Sequence, residues 1–305
     1  MKVWVAHEAG VAVLHGLQAT IEVYGGPPAE PPSDPATVEF WAPPFLARGD
    51  VVALVEKMPA LRVVQLLTAG ADAWVGRLRD GVLLCDARGV HSSYTSEWVA
   101  AVVLAYLREI PGFVLAQARR EWAYAAYAPT DELAGKRVLV VGAGAIGTAV
   151  AARLAPFETV LTMVARRARP GVRGVDELDL LLPYADVVVL AVPLTPATRG
   201  LVDAAFLARL PDGALVVNAA RGPVVDTAAL AAELATGRLS AALDVVDPEP
   251  LPADHPLWTM PNLLLTPHVA GSVRSLMPKA YGLVRAQLVR YLAGEPLENV
   301  VVDGY

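Results

Sequence analysis

The 305-residue chain has a single cysteine, Cys85, and lysine only at positions 2, 57, 136 and 279. One thiol cannot close an internal disulfide, and the apolar neighbours of Cys85 mark it as a core residue rather than a nucleophile. Charge is also scarce: charged residues make up 18% and the net charge is −6, with no basic run. That balance excludes the electrostatic footprint of a nucleic-acid binder. Long apolar stretches are missing as well. Mean hydropathy is +0.44, yet an unbroken run such as Trp98 to Leu107 falls well short of the ~18 residues needed to span a bilayer. The apolar content is therefore expected in buried parallel strands and helix faces, with no membrane partner. No charged, apolar and small-residue cleavage pattern precedes the first strand, so a cytoplasmic location is expected. There is no repeat of solenoid period and no low-complexity tract.

What the chain does have is centred on Lys136 to Gly147, KRVLVVGAGAIG. Val138 to Val141 form an apolar, β-branched run that leads into Gly142, Gly144 and Gly147 at G-x-G-x-x-G spacing, followed by a helical pattern over Thr148 to Leu154. The first glycine permits a tight turn, the second lets the backbone approach a pyrophosphate, and the third allows close helix-on-strand packing. Phosphates would sit on the N–H groups at the helix N-terminus. A glycine triplet alone is a weak signal; the flanking strand and helix make it a dinucleotide-binding pattern.

On either side the chain alternates short strands with helices. Strands are predicted at Val3 to Ala6, Ile21 to Tyr24, Val38 to Trp41, Val63 to Leu67 and Val82 to Cys85. After the glycine turn they are predicted at Thr159 to Val164, Val187 to Val192, Ala214 to Asn218, Ala241 to Val245 and Leu263 to Thr266. This alternation implies α/β architecture with parallel sheets. Asp50 to Lys57 reads as a helix, and a final amphipathic helix starts near Arg274. Ser92 to Glu109 reads as a long, almost wholly apolar helix ended by Pro111; it must be buried, against its own domain or a second subunit. Phe113 to Gly135, with Trp122, Tyr124 and Tyr127, is open between an arm over a partner and an aromatic loop packed on its own domain. The length accommodates two domains.

In a doubly wound sheet, ligands collect beyond the carboxyl ends of the strands. Arg221, Glu249 and His268 each follow such an end. Each has a structural alternative: a surface ion-pair residue, a solvated loop carboxylate, a core-edge histidine. Together they form a set for reducing a 2-oxo acid. His268 would donate a proton to the carbonyl oxygen as hydride reaches carbon. Glu249 would hold the other ring nitrogen and fix the tautomer, and Arg221 would grip the substrate through its planar fork of donors.

The segments LAGKRVLVVGAGAIG, VPLTPATRGLVD, NAARGPVVDTAAL, AALDVVDPEPLPADHPLW and MPNLLLTPHVAG, in this order, resemble the D-isomer-specific 2-hydroxyacid dehydrogenase family, in particular its glyoxylate/hydroxypyruvate reductase-like members. The resemblance covers Leu133 to Gly271, with weaker likeness upstream in LLTAGAD and GVHSSYTSEWVA. It implies a Rossmann-type doubly wound parallel sheet (98-273) inserted into a smaller flavodoxin-like α/β substrate domain (1-97 and 274-305), with a cleft between them. It also implies a homodimer built through the nucleotide domains. At matching positions it assigns Arg221, Glu249 and His268 to catalysis. Gly142, Gly144, Ala145, Ile146, Gly147, Pro193, Thr198, Ala219, Ala220, Arg221, Asp244, His268 and Gly271 fall in its cofactor-binding segments. Ala69 and Gly70, with Arg221 and His268, would bind substrate, although a plain strand-to-helix turn also accounts for the first two.

NAD-using members of that family close the second strand of the nucleotide domain with an Asp. Here Ala165 stands near that place, followed by Arg166 and Arg167. The guanidiniums suit a 2′-phosphate, each charge-assisted bond contributing ~1.5 to 3 kcal/mol, so NADP(H) is the expected cofactor and NAD(H) its alternative. Substrate would be a small 2-oxo or 2-hydroxy acid such as glyoxylate or hydroxypyruvate, its side chain read by residues around Trp41, Trp74 and Tyr94 unless these are core aromatics. Two other functions fit the same pattern: a dinucleotide-sensing binding protein, and an NAD-dependent dehydrogenase of formate or phosphite. No residue set suggests a metal site.

Overall fold

The computed structural model of the chain describes residues 1–302. Contacts divide it into two units, Met1–His91 together with the stretch from Val273 onward, and Ser92–Ser272. The second is thus an insertion in the sequence of the first.

The first unit is built on a sheet of order β2-β1-β3-β4-β5, from β1 (Lys2–Val5), β2 (Thr20–Val23), β3 (Val38–Ala42), β4 (Val63–Gln65) and β5 (Leu83–Cys85). All its pairings are parallel, and 2-1-3-4-5 is the flavodoxin-like order. Successive residues alternate between two cores. Val3, Val5 and Phe40 pack with Tyr281 and Val284 of the C-terminal helix Leu276–Leu292, while Trp4, Trp41 and Val64 pack with Met58 and Trp74 on the other face. Trp41 and Trp74 are buried and meet edge to face at 5.6 Å. They are core aromatics, the alternative open in the sequence; Tyr94 lies on a helix of the other unit.

The second unit carries a sheet of order β12-β11-β10-β9-β6-β7-β8: β6 (Arg137–Val141), β7 (Val160–Ala165), β8 (Arg173–Gly174), β9 (Val187–Leu190), β10 (Leu215–Asn218), β11 (Ser240–Leu243) and β12 (Leu263–Leu265). All seven run parallel. Both faces are buried: Leu139, Val188 and Val216 lie in one core, Val140, Val189 and Val217 in the other. This is why the strands read as continuous apolar runs rather than alternations. The order reverses between β6 and β9, and that switch point puts the glycine turn after β6 at the ligand-binding edge.

One predicted helix end needs correction. The apolar helix spans Ser92–Leu107 and buries Val99 and Val103 against Val140, Val150 and Leu154 of its own unit. Pro111 does not end it. Glu109 turns the chain with φ 53°, and Pro111 opens a further helix, Ile110–Ala118, where a missing N–H costs nothing. Ile110, Val114, Leu115, Trp122 and Tyr124 around it are exposed, Trp122 by 96%. Strand β8 was not legible at all, being two residues, Arg-Gly, without a pattern. Among the described residues no single helix is long and apolar enough to cross a membrane.

Candidate active site

The three glycines of the turn after β6 meet different surroundings. A Cβ on Gly142 (φ 114°) would lie 2.3 Å from the Ala191 carbonyl oxygen, and one on Gly147 would lie 1.7 Å from that of Gly142. Both are required by the protein's own packing. A Cβ on Gly144 meets nothing within 4 Å, so this glycine leaves open space in front of the N-terminus of the helix Ala145–Leu154. That helix has no side-chain cap, and its first N–H groups, from Ala145 and Ile146, fit an anionic diphosphate by direction and by dipole. An open cavity of about 660 Å³ in this unit, lined by Leu161, Met163, Arg169, Arg173 and Glu177 among others, includes none of these glycines or N–H groups.

Ala165 closes β7 and is half-buried, and Arg166 and Arg167 after it are exposed, without a hydrogen bond or ion pair among the described residues. In the loop after β9, the Thr198 hydroxyl donates to the Pro193 carbonyl at 2.6 Å and accepts from the Thr195 amide at 2.8 Å. Thr198 therefore fixes the shape of that loop. At the end of β10 the buried Asn218 does the same: its Oδ1 accepts from the Ala220 amide at 3.0 Å and its Nδ2 donates to the Arg221 carbonyl at 3.0 Å. Ala219 donates its amide to Leu190. Sequence reasoning had missed Asn218, although a buried polar residue closing an apolar strand is the signal that marks it.

Arg221, Glu249 and His268 leave three adjacent parallel strands, β10, β11 and β12. The loops touch closely, since a Cβ on Gly222 would lie 1.9 Å from the Val246 carbonyl oxygen. Glu249 Oε1 lies 2.5 Å from His268 Nδ1, with both side chains about three-quarters or more buried (26% and 19% exposed). An ionised carboxylate only accepts, so Nδ1 carries the hydrogen and Nε2 is left to exchange a proton. Arg221 is half-buried, and its Nη1 donates to the Ala220 carbonyl at 2.8 Å.

Asp244 does more than its sequence position suggested. It is 3% exposed, and its carboxylate accepts from the Thr266 hydroxyl (2.6 Å) and from the amides of Val269 (2.8 Å) and Ala270 (2.9 Å). Asp244 thus anchors the loop of His268, which runs on to Gly271. In the first unit, Ala69 and Gly70 are half-buried in the loop after β4, where the Thr68 hydroxyl donates to the Gly70 carbonyl at 3.1 Å.

The family model for the D-isomer specific 2-hydroxyacid dehydrogenase NAD binding domain matches residues 100–270. A glyoxylate/hydroxypyruvate reductase B of Citrobacter koseri is 35% identical over 288 residues, 88% of each chain. Among solved structures, a D-isomer specific 2-hydroxyacid dehydrogenase from Xanthobacter autotrophicus Py2, in complex with NADPH and MES, is 34% identical, with a TM-score of 0.83 over 100% of both chains. An NADPH-dependent glyoxylate/hydroxypyruvate reductase from Sinorhizobium meliloti, in complex with NADP and sulfate, is 30% identical, with a TM-score of 0.84 over 100% of this chain and 99% of that one.

Proposed function

The chain belongs to the D-isomer specific 2-hydroxyacid dehydrogenase family, and from that premise we propose that it reduces a small 2-oxo acid to the D-2-hydroxy acid with NADP(H). The observation that carries this reading is the Glu249–His268 pair, 2.5 Å apart, on the strand edge it shares with Arg221 and the glycine turn.

The open space at Gly144 and the uncapped helix N-terminus fit the diphosphate of a dinucleotide. Arg166 and Arg167, without a hydrogen bond or ion pair among the described residues, fit a 2′-phosphate, and no carboxylate stands at Ala165 to repel it. When bound, the reduced nicotinamide supplies the hydride that adds to C2 of the 2-oxo acid. His268 Nε2–H gives its proton to the carbonyl oxygen, completing the hydroxyl. The imidazole left behind keeps its Nδ1–H on Glu249, which stabilises the charged ring before transfer and holds its plane throughout. Arg221 draws charge toward the carbonyl oxygen and pairs with the substrate carboxylate. Asp244 keeps the His268 loop in place, and the family resemblance assigns Ala69 and Gly70 to substrate.

Glyoxylate and hydroxypyruvate, named for the Citrobacter and Sinorhizobium relatives, are the first substrates to try. Loss of NADPH absorbance on adding either, absent with buffer alone, is the expected result. No turnover on a panel of 2-oxo acids with either nucleotide would leave a dinucleotide-sensing role instead. The exposed apolar face around Val114, Leu115 and Trp122 is what a second copy would cover; light scattering is expected to give the mass of a homodimer.

A further inference from the structure

Arg169 forms part of no motif, yet its side chain ties two parts of the nucleotide edge together. Its backbone is fixed by a tight turn: the Arg169 amide donates to the Val172 carbonyl at 3.0 Å and the Val172 amide returns the bond at 2.8 Å, around Pro170 and Gly171. Gly171 has φ 77°, a conformation that glycine adopts without strain. From this base Arg169 Nη2 donates to the carbonyl of Ala143 at 2.7 Å, between the first two glycines of the turn after β6. At the foot of the same two segments, the Gly142 amide donates to the Val164 carbonyl at 2.8 Å. The segment carrying Arg166 and Arg167 is therefore joined to the glycine turn at both ends, once through backbone and once through Arg169.

We propose that Arg169 is a positioning residue for NADP(H), holding the 2′-phosphate cations Arg166 and Arg167 at a fixed spacing from the diphosphate-binding turn. The inference rests on the NADP(H) reading above. Its physical content is preorganisation: a loop already ordered loses less conformational freedom when the nucleotide arrives. Arg169 holds a carbonyl through Nη2, so its effect passes through its neighbours, and the double-mutant cycle separates it from a phosphate ligand.

The test is a double-mutant cycle read as nucleotide Kd by fluorescence titration, without turnover. Arg169→Ala is expected to raise Kd for NADPH about tenfold and Kd for NADH less than about twofold. In an Arg166→Ala/Arg167→Ala background the same change is expected to have an effect below about twofold, because the cations it positions are gone. Gly171→Val, strained at a positive φ, moves the base of Arg169 without altering any charge, and the same pattern is expected; thermal melts verify that each variant is folded. A tenfold loss that persists in the double-variant background would make Arg169 a direct phosphate ligand and overturn the proposal. So would equal losses for NADPH and NADH, or no loss at all. If the unaltered protein binds NADH as well as NADPH, the cofactor reading itself is wrong.

Discussion

The amide of His268 donates to the main-chain carbonyl of Asp244 at 2.7 Å while His268 itself holds a left-handed backbone conformation, φ 56°. Such a conformation is uncommon for a residue other than glycine and persists only where its surroundings enforce it. Here the enforcement comes from Asp244, through its carbonyl to His268 and its carboxylate to Thr266, Val269 and Ala270.

Removing that carboxylate leaves three donors without their acceptor, the Ala270 amide buried and the other two part-buried. Asp244→Ala is expected to cost about 1 to 3 kcal/mol of stability, measured by chemical denaturation, and to lower kcat because the His268 loop is released. Asp244→Asn, which keeps one acceptor oxygen, should retain more of both. A variant as stable as the parent would show that the loop is held by other means.

His268→Ala is expected to lower kcat by ~10²- to 10⁴-fold while NADPH binding, followed by fluorescence, stays within experimental error of the parent. Glu249→Gln should fall between the two, since the amide can still accept from Nδ1–H but no longer offsets a charged ring. Undiminished turnover in His268→Ala would remove it from the proton-transfer role.

Arg166→Ala and Arg167→Ala together are expected to weaken NADPH by ~10²- to 10⁴-fold, from the ~1.5 to 3 kcal/mol of each charge-assisted bond, and to leave NADH nearly unaffected. Equal losses for both nucleotides would mean that these side chains do not read the 2′-phosphate.

The glycines should separate by cause. Gly147→Ala places a Cβ against the Gly142 carbonyl and is expected to lower stability by roughly 1 to 3 kcal/mol. Gly144→Ala meets open space and should change stability by less than about 1 kcal/mol, yet raise Kd for both nucleotides. Calorimetric melts and titrations on the two variants check this, and the reverse pattern would put the ligand cradle elsewhere.

Cys85 offers a test by pH. Burial, and then the neighbouring Asp86 charge, push its thiol up to about 12. The raised value keeps it protonated at pH 8 in the folded protein, where an unfolded thiol is already partly ionised. Thiol-reactive dye should label it only on denaturation; rapid labelling of the native protein at pH 8 would contradict the burial argument.

Much of the fold was legible because both sheets are buried on two faces, so their strands stand out as β-branched runs between helices. Arg221, Glu249 and His268 could be picked out because each follows the carboxyl end of such a run. Pro111 misled because proline ends one helix and begins another with equal ease, and the choice was made by the left-handed turn at Glu109. Trp41 and Trp74 gave no sign of direction, since an aromatic in a strand suits either a core or a pocket; packing put both in the core.

The sequence by itself determined the two-sheet α/β plan, the glycine turn and the three ionisable residues, because apolar β-branched runs and glycine conformational freedom are local properties. Only the tertiary structure decided what holds those residues in place. The Glu249–His268 contact, the anchoring of the His268 loop by Asp244, and the reach of Arg169 to Ala143 all join segments from different strands. Their meeting depends on strand order and on loop geometry at the sheet edge, neither of which a linear pattern contains.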